Sequence, residues 1–163
     1  MDRLWSPWRY QYVSKSGPAA GCIFCIKSSE KRDEENLILY RGAHNFVLLN
    51  LYPYSTGHLM VAPYEHIASL APASEPILSE MMQLARQAEI HLRKLYSPHG
   101  FNLGMNLGES AGAGVPGHIH MHVLPRWGGD TNFMTTVAET RVMPEGLDVT
   151  YPKLRKAFQG DSS

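Results

Sequence analysis

The sequence contains no apolar run approaching the roughly 20 residues that cross a bilayer, which excludes a helical membrane span. Its first residues, Met1-Asp2-Arg3-Leu4-Trp5-Ser6-Pro7-Trp8, lack the apolar stretch of a secretory signal. An excess of either charge is missing too, since 15 Lys and Arg balance 15 Asp and Glu. Without a net field, neither nucleic acid nor an anionic membrane is an expected partner. Cysteine is scarce: two in 163 residues, too few for a disulfide framework. Both lie in Cys22-Ile23-Phe24-Cys25. In a reducing compartment that spacing reads as half of a metal site or as a redox pair. These absences lead to the expectation of a cytoplasmic protein.

What is present suits an ordinary fold with a real core. The hydrophobic content of 44% is typical of globular chains, and the length supports one domain over 1–163. Residues 1–20 are expected to form an N-terminal arm, because Trp, Tyr, Ser, Gly and Pro follow no period there. Residues 135–163 are expected to form a C-terminal extension. Apolar runs at 37–41 and 46–50, separated by Gly42-Ala43-His44-Asn45, predict a hairpin. Residues 58–63 predict a third strand, 101–107 a fourth and 117–124 a fifth. Between the third and fourth, Ile77, Leu78, Met81, Met82, Leu84, Ala85, Ala88, Leu92 and Leu95 recur at helical spacing and predict a helix over 76–95. Ser74 stands where a cap belongs, and Pro76 fits the first turn. Ile90 falls off the stripe, and the Met81–Met82 pair reads as core packing. A short helix is predicted over 151–158. The fold class is therefore α+β, an antiparallel sheet of about five strands with one long helix and a short C-terminal helix.

One segment stands out chemically: His118-Ile119-His120-Met121-His122. In an extended chain alternate side chains share a face, so the three imidazoles project one way while Ile119 and Met121 enter a core. Histidine titrates near neutrality and can serve as nucleophile, acid, base or metal ligand. A single strand histidine is usually structural, and a His-rich tract can simply bind metal. Three alternating histidines after Gly108-Glu109-Ser110-Ala111-Gly112-Ala113-Gly114 carry more meaning. Glycines let a backbone approach a ligand closely, and successive N–H groups form anion-binding concavities.

Asn106-x-Gly108, Gly112-x-Gly114, His118-x-His120-x-His122 and Leu124-Pro125-Arg126 together resemble the signature of the histidine triad (HIT) superfamily. Cys22-Ile23-Phe24-Cys25, Leu49-Asn50 before Gly57-His58, and Pro63-x-x-His66-Ile67 fit the same order, so the resemblance covers residues 20–130. The flanks Arg3–Trp8 and Arg126–Phe133 are similar to the branch that contains diadenosine tetraphosphate phosphorylase- and hydrolase-type proteins. The resemblance implies a nucleotidyl hydrolase or transferase acting on nucleoside polyphosphates of the dinucleoside type. It implies His120 as the nucleophile that forms a covalent nucleotidyl-histidine, with His122 donating to a phosphate oxygen. Asn106 and the backbone N–H groups of Gly112, Ala113, Gly114 and Val115 are the remaining candidates to hold phosphate. Asn50 would bond the ribose hydroxyls, with Phe24 and Leu51 lining the base pocket. By residue type alone, Asn50 is also a turn residue, and Phe24 and Leu51 are as readily core residues.

Zinc-bearing members of the superfamily imply a ligand set of Cys22, Cys25, His66 and His118, a closed structural site, with no organic cofactor. His44 is the nearest competing ligand, His91 and His99 read as incidental, and His58 reads as structural. The implied partners are a purine nucleotide or dinucleoside polyphosphate and, as members are usually homodimers, a second copy of the chain. One departure bears on the chemistry. Many members carry Gln-Ser or Gln-Thr shortly before the first histidine, whereas this chain reads Gly114-Val115-Pro116, with no hydroxyl. Two alternatives therefore stand beside hydrolysis: a phosphorylase, or a zinc-stabilised nucleotide-binding module with little turnover.

Overall fold

Antiparallel strands frame the computed structural model, which describes residues 21–130 and 143–160. They are β1 (Ile38–Arg41), β2 (Asn45–Leu49), β3 (Leu59–Pro63), β4 (Gly100–Gly104) and β5 (Met121–Arg126), arranged in the order β1-β2-β3-β5-β4. Three described helices accompany them: α1 (Ile23–Ser29), α2 (Glu75–Tyr96) and α3 (Leu147–Gly160). The expected N-terminal arm, with Trp5 and Trp8, lies outside the described residues, as does part of the C-terminal extension. No described helix is long and apolar enough to cross a membrane.

Every residue of β2 and β3 is buried. That explains why Phe46–Leu49 and Leu59–Ala62 are unbroken apolar runs, since a strand covered on both faces has no polar side to alternate with. On one face Leu39, Val47, Leu49, Leu59, Val61 and Val123 share a core with α2 and α3. On the other, Phe46, Leu48, Met60 and Ala62 pack with Phe24 of α1. This second face carries the site.

The long helix extends one residue beyond its predicted span at each end. Ser74 occupies the N-cap position but makes no side-chain capping bond. The expected methionine pair divides: Met81 is 1% exposed and Met82 57%. Neighbouring helix positions point about 100° apart, so only one of the two can face the sheet. Ile90, off the stripe, is exposed.

The other helices differ more from expectation. At seven residues, α1 is too short to show a period, and only Cys22, Phe24 and Cys25 mark it in the sequence. The C-terminal helix starts at Leu147 rather than 151. Its role is tertiary: the Tyr151 hydroxyl donates to the Ile38 carbonyl (3.1 Å), and Arg155 Nη1 donates to the carbonyls of Ile38 (2.9 Å) and Leu39 (2.8 Å). These bonds tie α3 to edge strand β1. The fourth strand is shorter than expected, closing at Gly104.

A carboxylate locks the β1–β2 turn. Glu80 of α2 accepts hydrogen bonds at 2.7 Å from the backbone N–H groups of Ala43, His44 and Asn45, and one at 2.9 Å from Asn45 Nδ2. Gly42 makes room for it, because a Cβ there would lie 2.7 Å from the carboxylate oxygen. Burial pushes the Glu80 carboxyl up, but the Asn45 side chain and the turn amides outweigh it and hold the group below the usual range. A depressed carboxyl pKa stabilises the fold above the unfolded pKa and loses that contribution as pH falls through the folded one. Glu80→Ala should lower the unfolding free energy at neutral pH by about 2 kcal/mol, with the deficit shrinking in acid. Urea unfolding checks this, and an unchanged midpoint with an unchanged slope would contradict it.

Candidate active site and metal-ligand cluster

The fifth strand begins at Met121, not at Gly117, so of the three histidines only His122 lies in the ladder. Pro63 ends β3 and has no N–H with which to continue pairing. Ladder pairing between the two strands stops at Val61 and Met121. The residues before it remain extended through other bonds: Ile119 N–H donates to the Ile67 carbonyl at 2.8 Å. Ile119 is buried in the helix-side core, and Met121 packs at its edge. His118 and His120 are buried on the opposite side, where Phe24 covers both rings at centroid distances of 5.2 and 4.8 Å. The expected alternation holds although the first half of the expected strand does not.

Each imidazole has a distinct set of partners. His120 Nδ1 lies 2.9 Å from the His118 carbonyl oxygen. A carbonyl only accepts, so Nδ1 carries the proton and Nε2 keeps its lone pair. Burial lowers the pKa of His120, partly offset by that carbonyl, so the ring is neutral near pH 7.

His122 takes its tautomer from a residue that the sequence reading treated as structural. The backbone N–H of Tyr54 donates to His58 Nδ1 at 3.1 Å, so His58 is protonated on Nε2. That nitrogen lies 2.8 Å from His122 Nδ1 and donates to it, which places the His122 proton on Nε2. Burial, then the neighbouring His120 charge, lowers the His122 pKa to about 4. His122 is thus a neutral donor at physiological pH. Only Gly57-His58, next to the end of an apolar run, hinted at His58 in the sequence.

His120 and His122 open into a cavity of about 340 Å³. All the expected nucleotide-contacting residues line it: Phe24, Asn50 and Leu51 on one side, and Asn106 with Gly112, Ala113, Gly114 and Val115 on another. Gly112 has φ 86° and ends a 3₁₀ turn over Glu109–Ala111, a conformation that favours glycine. Asn106 Nδ2 donates to the Gly112 carbonyl at 3.4 Å and ties the loop to the end of β4. Asn50 also fills its turn role, since its Oδ1 accepts the Tyr52 N–H at 2.9 Å. Phe24 is 3% exposed and serves the core, whereas Leu51 is 51% exposed at the rim. Among the described lining residues, hydroxyls come from Tyr52 and Tyr54; Ser110 is not among them. Lys27 and Glu109 line the cavity without having been anticipated.

Close to His120 in sequence, His118 joins a second cluster: ligand atoms of Cys22, Cys25, His66 and His118 all lie within 4.8 Å of one another. Cys22 is the N-cap of α1, and Cys25 follows in the first turn. Cys22 Sγ is 3.3 Å from His118 Nδ1, Cys25 Sγ is 3.4 Å from His66 Nδ1, and the two Nδ1 atoms are 3.3 Å apart. Bond lengths of about 2.1 Å to nitrogen and 2.3 Å to sulfur place tetrahedral donors about 3.4–3.8 Å apart, so the set fits one metal ion with slight adjustment. The outer partner of His118 fits as well. His118 Nε2 donates to the Pro63 carbonyl at 2.9 Å, leaving Nδ1 as the free ligand atom. His44 is not in this cluster. His91 is a core residue against Phe158 (4.5 Å), and His99 Nδ1 accepts the Gly128 N–H at 2.8 Å.

Comparison with known proteins bears on the arrangement. The family model described as HIT domain matches residues 31–129. An AP-4-A phosphorylase of Mycobacterium tuberculosis is 38% identical over 154 residues, covering 90% of this chain and 79% of the relative. An asymmetrical bis(5'-nucleosyl)-tetraphosphatase of Schizosaccharomyces pombe is 29% identical over 89 residues, covering 55% of this chain and 48% of that one. Among solved structures, a Zn-bound histidine triad family protein from Mycobacterium smegmatis superimposes with a TM-score of 0.69 at 28% identity, over 87% of this chain and 96% of that one.

Proposed function

Because the chain belongs to the HIT domain family, we propose that it is a nucleotidyl hydrolase or transferase that cleaves dinucleoside polyphosphates through a covalent intermediate on His120. One observation carries this reading: the His120 Nδ1–H bond to the His118 carbonyl leaves Nε2 unprotonated in a ring that lines the cavity. A neutral imidazole with its tautomer fixed is a competent nucleophile near pH 7. Nε2 attacks the α-phosphorus, and the P–N bond forms as the P–O bond to the rest of the polyphosphate breaks. The electron pair departs on that oxygen. Charge developing on the phosphoryl oxygens is met by His122 Nε2–H, Asn106 and the amides of Gly114 and Val115; the Gly112 and Ala113 N–H groups, expected to join them, instead donate to the Glu109 (2.8 Å) and Gly108 (3.3 Å) carbonyls and shape the loop. Water then attacks phosphorus and releases a proton to solvent, the P–N bond breaks, and its electron pair returns to Nε2. Asn50 is assigned the ribose, and Phe24 and Leu51 the base.

Zinc is the metal of this reading, held by Cys22, Cys25, His66 and His118. Four protein ligands close a tetrahedral site, so bound zinc supplies rigidity to the segment that presents His120 rather than reaction chemistry. A homodimer and a cytoplasmic setting belong to the same proposal. The outer part of edge strand β4 is exposed, with Leu103 at 45%, which suits pairing with a second copy. A reducing compartment keeps the two thiols available to a metal.

The 38% identical relative favours a second reading, phosphorolysis. Chromatography of products from diadenosine tetraphosphate separates the possibilities. Hydrolysis gives AMP and ATP in phosphate-free buffer. Appearance of ADP and ATP only when inorganic phosphate is supplied would replace water with phosphate in the second step. Binding without any cleavage would reduce the chain to a nucleotide-binding module.

A further inference from the structure

We infer that Lys27 reads the edge of the bound base and favours a 6-oxopurine over a 6-aminopurine; this rests on the nucleotide-cavity reading above. Among the described residues lining the cavity, Lys27 is the one Lys or Arg side chain, and the catalytic step makes no use of it. It lies one turn after Ile23 on α1, and both side chains line the cavity beside Phe24. The assigned phosphate donors, His122, Asn106 and the Gly112–Val115 loop, stand elsewhere on the wall.

The position of the ammonium is fixed by the backbone. Lys27 Nζ donates to the Asn36 carbonyl at 3.0 Å, and the next residue, Leu37, accepts the Leu49 N–H at 2.9 Å. This tether holds the charge on the β1–β2 side of the cavity, where Leu48, Leu49 and Leu51 also line it. Lys27 is half-buried. Among the described residues no carboxylate forms an ion pair with Lys27, and the nearby Glu30 pairs with Arg32 at 2.7 Å. A cation kept partly out of water, among apolar groups, gains most from a ligand that presents acceptors.

An ammonium has three N–H donors and no acceptor. One N–H is used by Asn36, leaving two for a ligand. Guanine offers two adjacent acceptors, O6 and N7, whereas adenine pairs N7 with an amino donor that would face the ammonium's own hydrogens. The apolar neighbours hold either ring equally well, so Lys27 supplies the difference.

Calorimetry on the full-length, metal-loaded protein tests the assignment with GMP and AMP. The intact chain should bind GMP about tenfold more tightly than AMP. Lys27→Met, which keeps the stem length and loses the donors, should bring the ratio near one, and Lys27→Arg should keep GMP ahead. Equal affinities in the unsubstituted protein would overturn the inference without any variant. So would a GMP preference that survives Lys27→Met. Parallel assays with diguanosine and diadenosine tetraphosphate separate this inference from the enzymatic reading. Cleavage without base discrimination overturns the assignment of Lys27 and leaves the enzyme standing. Lys27-dependent discrimination in binding, with neither compound cleaved, supports Lys27 and removes the enzyme.

Discussion

Replacing His120 with Asn should lower turnover of diadenosine tetraphosphate by at least about a thousandfold, while the protein remains folded and continues to bind AMP. His120 is the described ring whose tautomer leaves a lone pair in the cavity: Nδ1 donates to the His118 carbonyl, so Nε2 is free. An asparagine side chain keeps a polar group in that position but is no nucleophile. The remaining cavity wall, including His122, Asn106 and the loop amides, is unaltered, so affinity survives while the covalent step is lost. Steady-state kinetics, circular dichroism and AMP calorimetry on the same preparation separate these effects. Turnover within about tenfold of the unsubstituted protein would mean that nucleophilic catalysis at His120 is not how the reaction proceeds.

The second large effect concerns the cluster that includes His118. Cys25→Ser should reduce bound zinc to under about one-tenth of stoichiometric and lower the unfolding free energy by at least about 3 kcal/mol. Cys25 Sγ is close to the ligand nitrogens of both His66 and His118 (3.4 and 3.6 Å), so its loss opens the set on two sides. Phe24 sits between the two cysteines and packs against His118 and His120. Loosening α1 therefore loosens the cover of His120 as well. His120→Asn should retain its zinc, because His120 is not in the ligand cluster. Elemental analysis together with urea unfolding, with and without chelator, measures both effects. Stoichiometric zinc in Cys25→Ser would contradict the ligand assignment, and so would zinc loss confined to His120→Asn.

The legible parts of this protein are those in which local pattern and tertiary outcome agree. The apolar stripe of α2 and the runs of β2 and β3 gave their elements to within about a residue, because burial acts on each independently. The histidine row was legible because alternation outlasts regular pairing: His118 and His120 stay on one side although the β3–β5 ladder stops at Val61 and Met121. Features created only by long-range contact were not legible. The docking of α3 on β1, through bonds to the Ile38 and Leu39 carbonyls more than a hundred positions away, has no local signature. The exposure of Met82 depends on which of two adjacent methionines the sheet receives. His58 looked structural because its significance is a chain of hydrogen bonds, Tyr54 to His58 to His122, that no spacing encodes. The loop after Asn106 shows the reverse case. Its missing hydroxyl was plain in the sequence, and the structure brings the hydroxyl-bearing side chains of Tyr52 and Tyr54 to the same cavity from another segment.

The most direct test of the account is to trap the intermediate. The protein should be mixed with excess diadenosine tetraphosphate, quenched within milliseconds into alkaline denaturant, where a phosphoramidate survives, and mapped by peptide mass spectrometry. The account predicts a peptide spanning His120 that carries one AMP, absent from His120→Asn and lost when the quench is delayed until substrate is exhausted. An unmodified His120 during rapid turnover, or the nucleotide found on another residue, would contradict it.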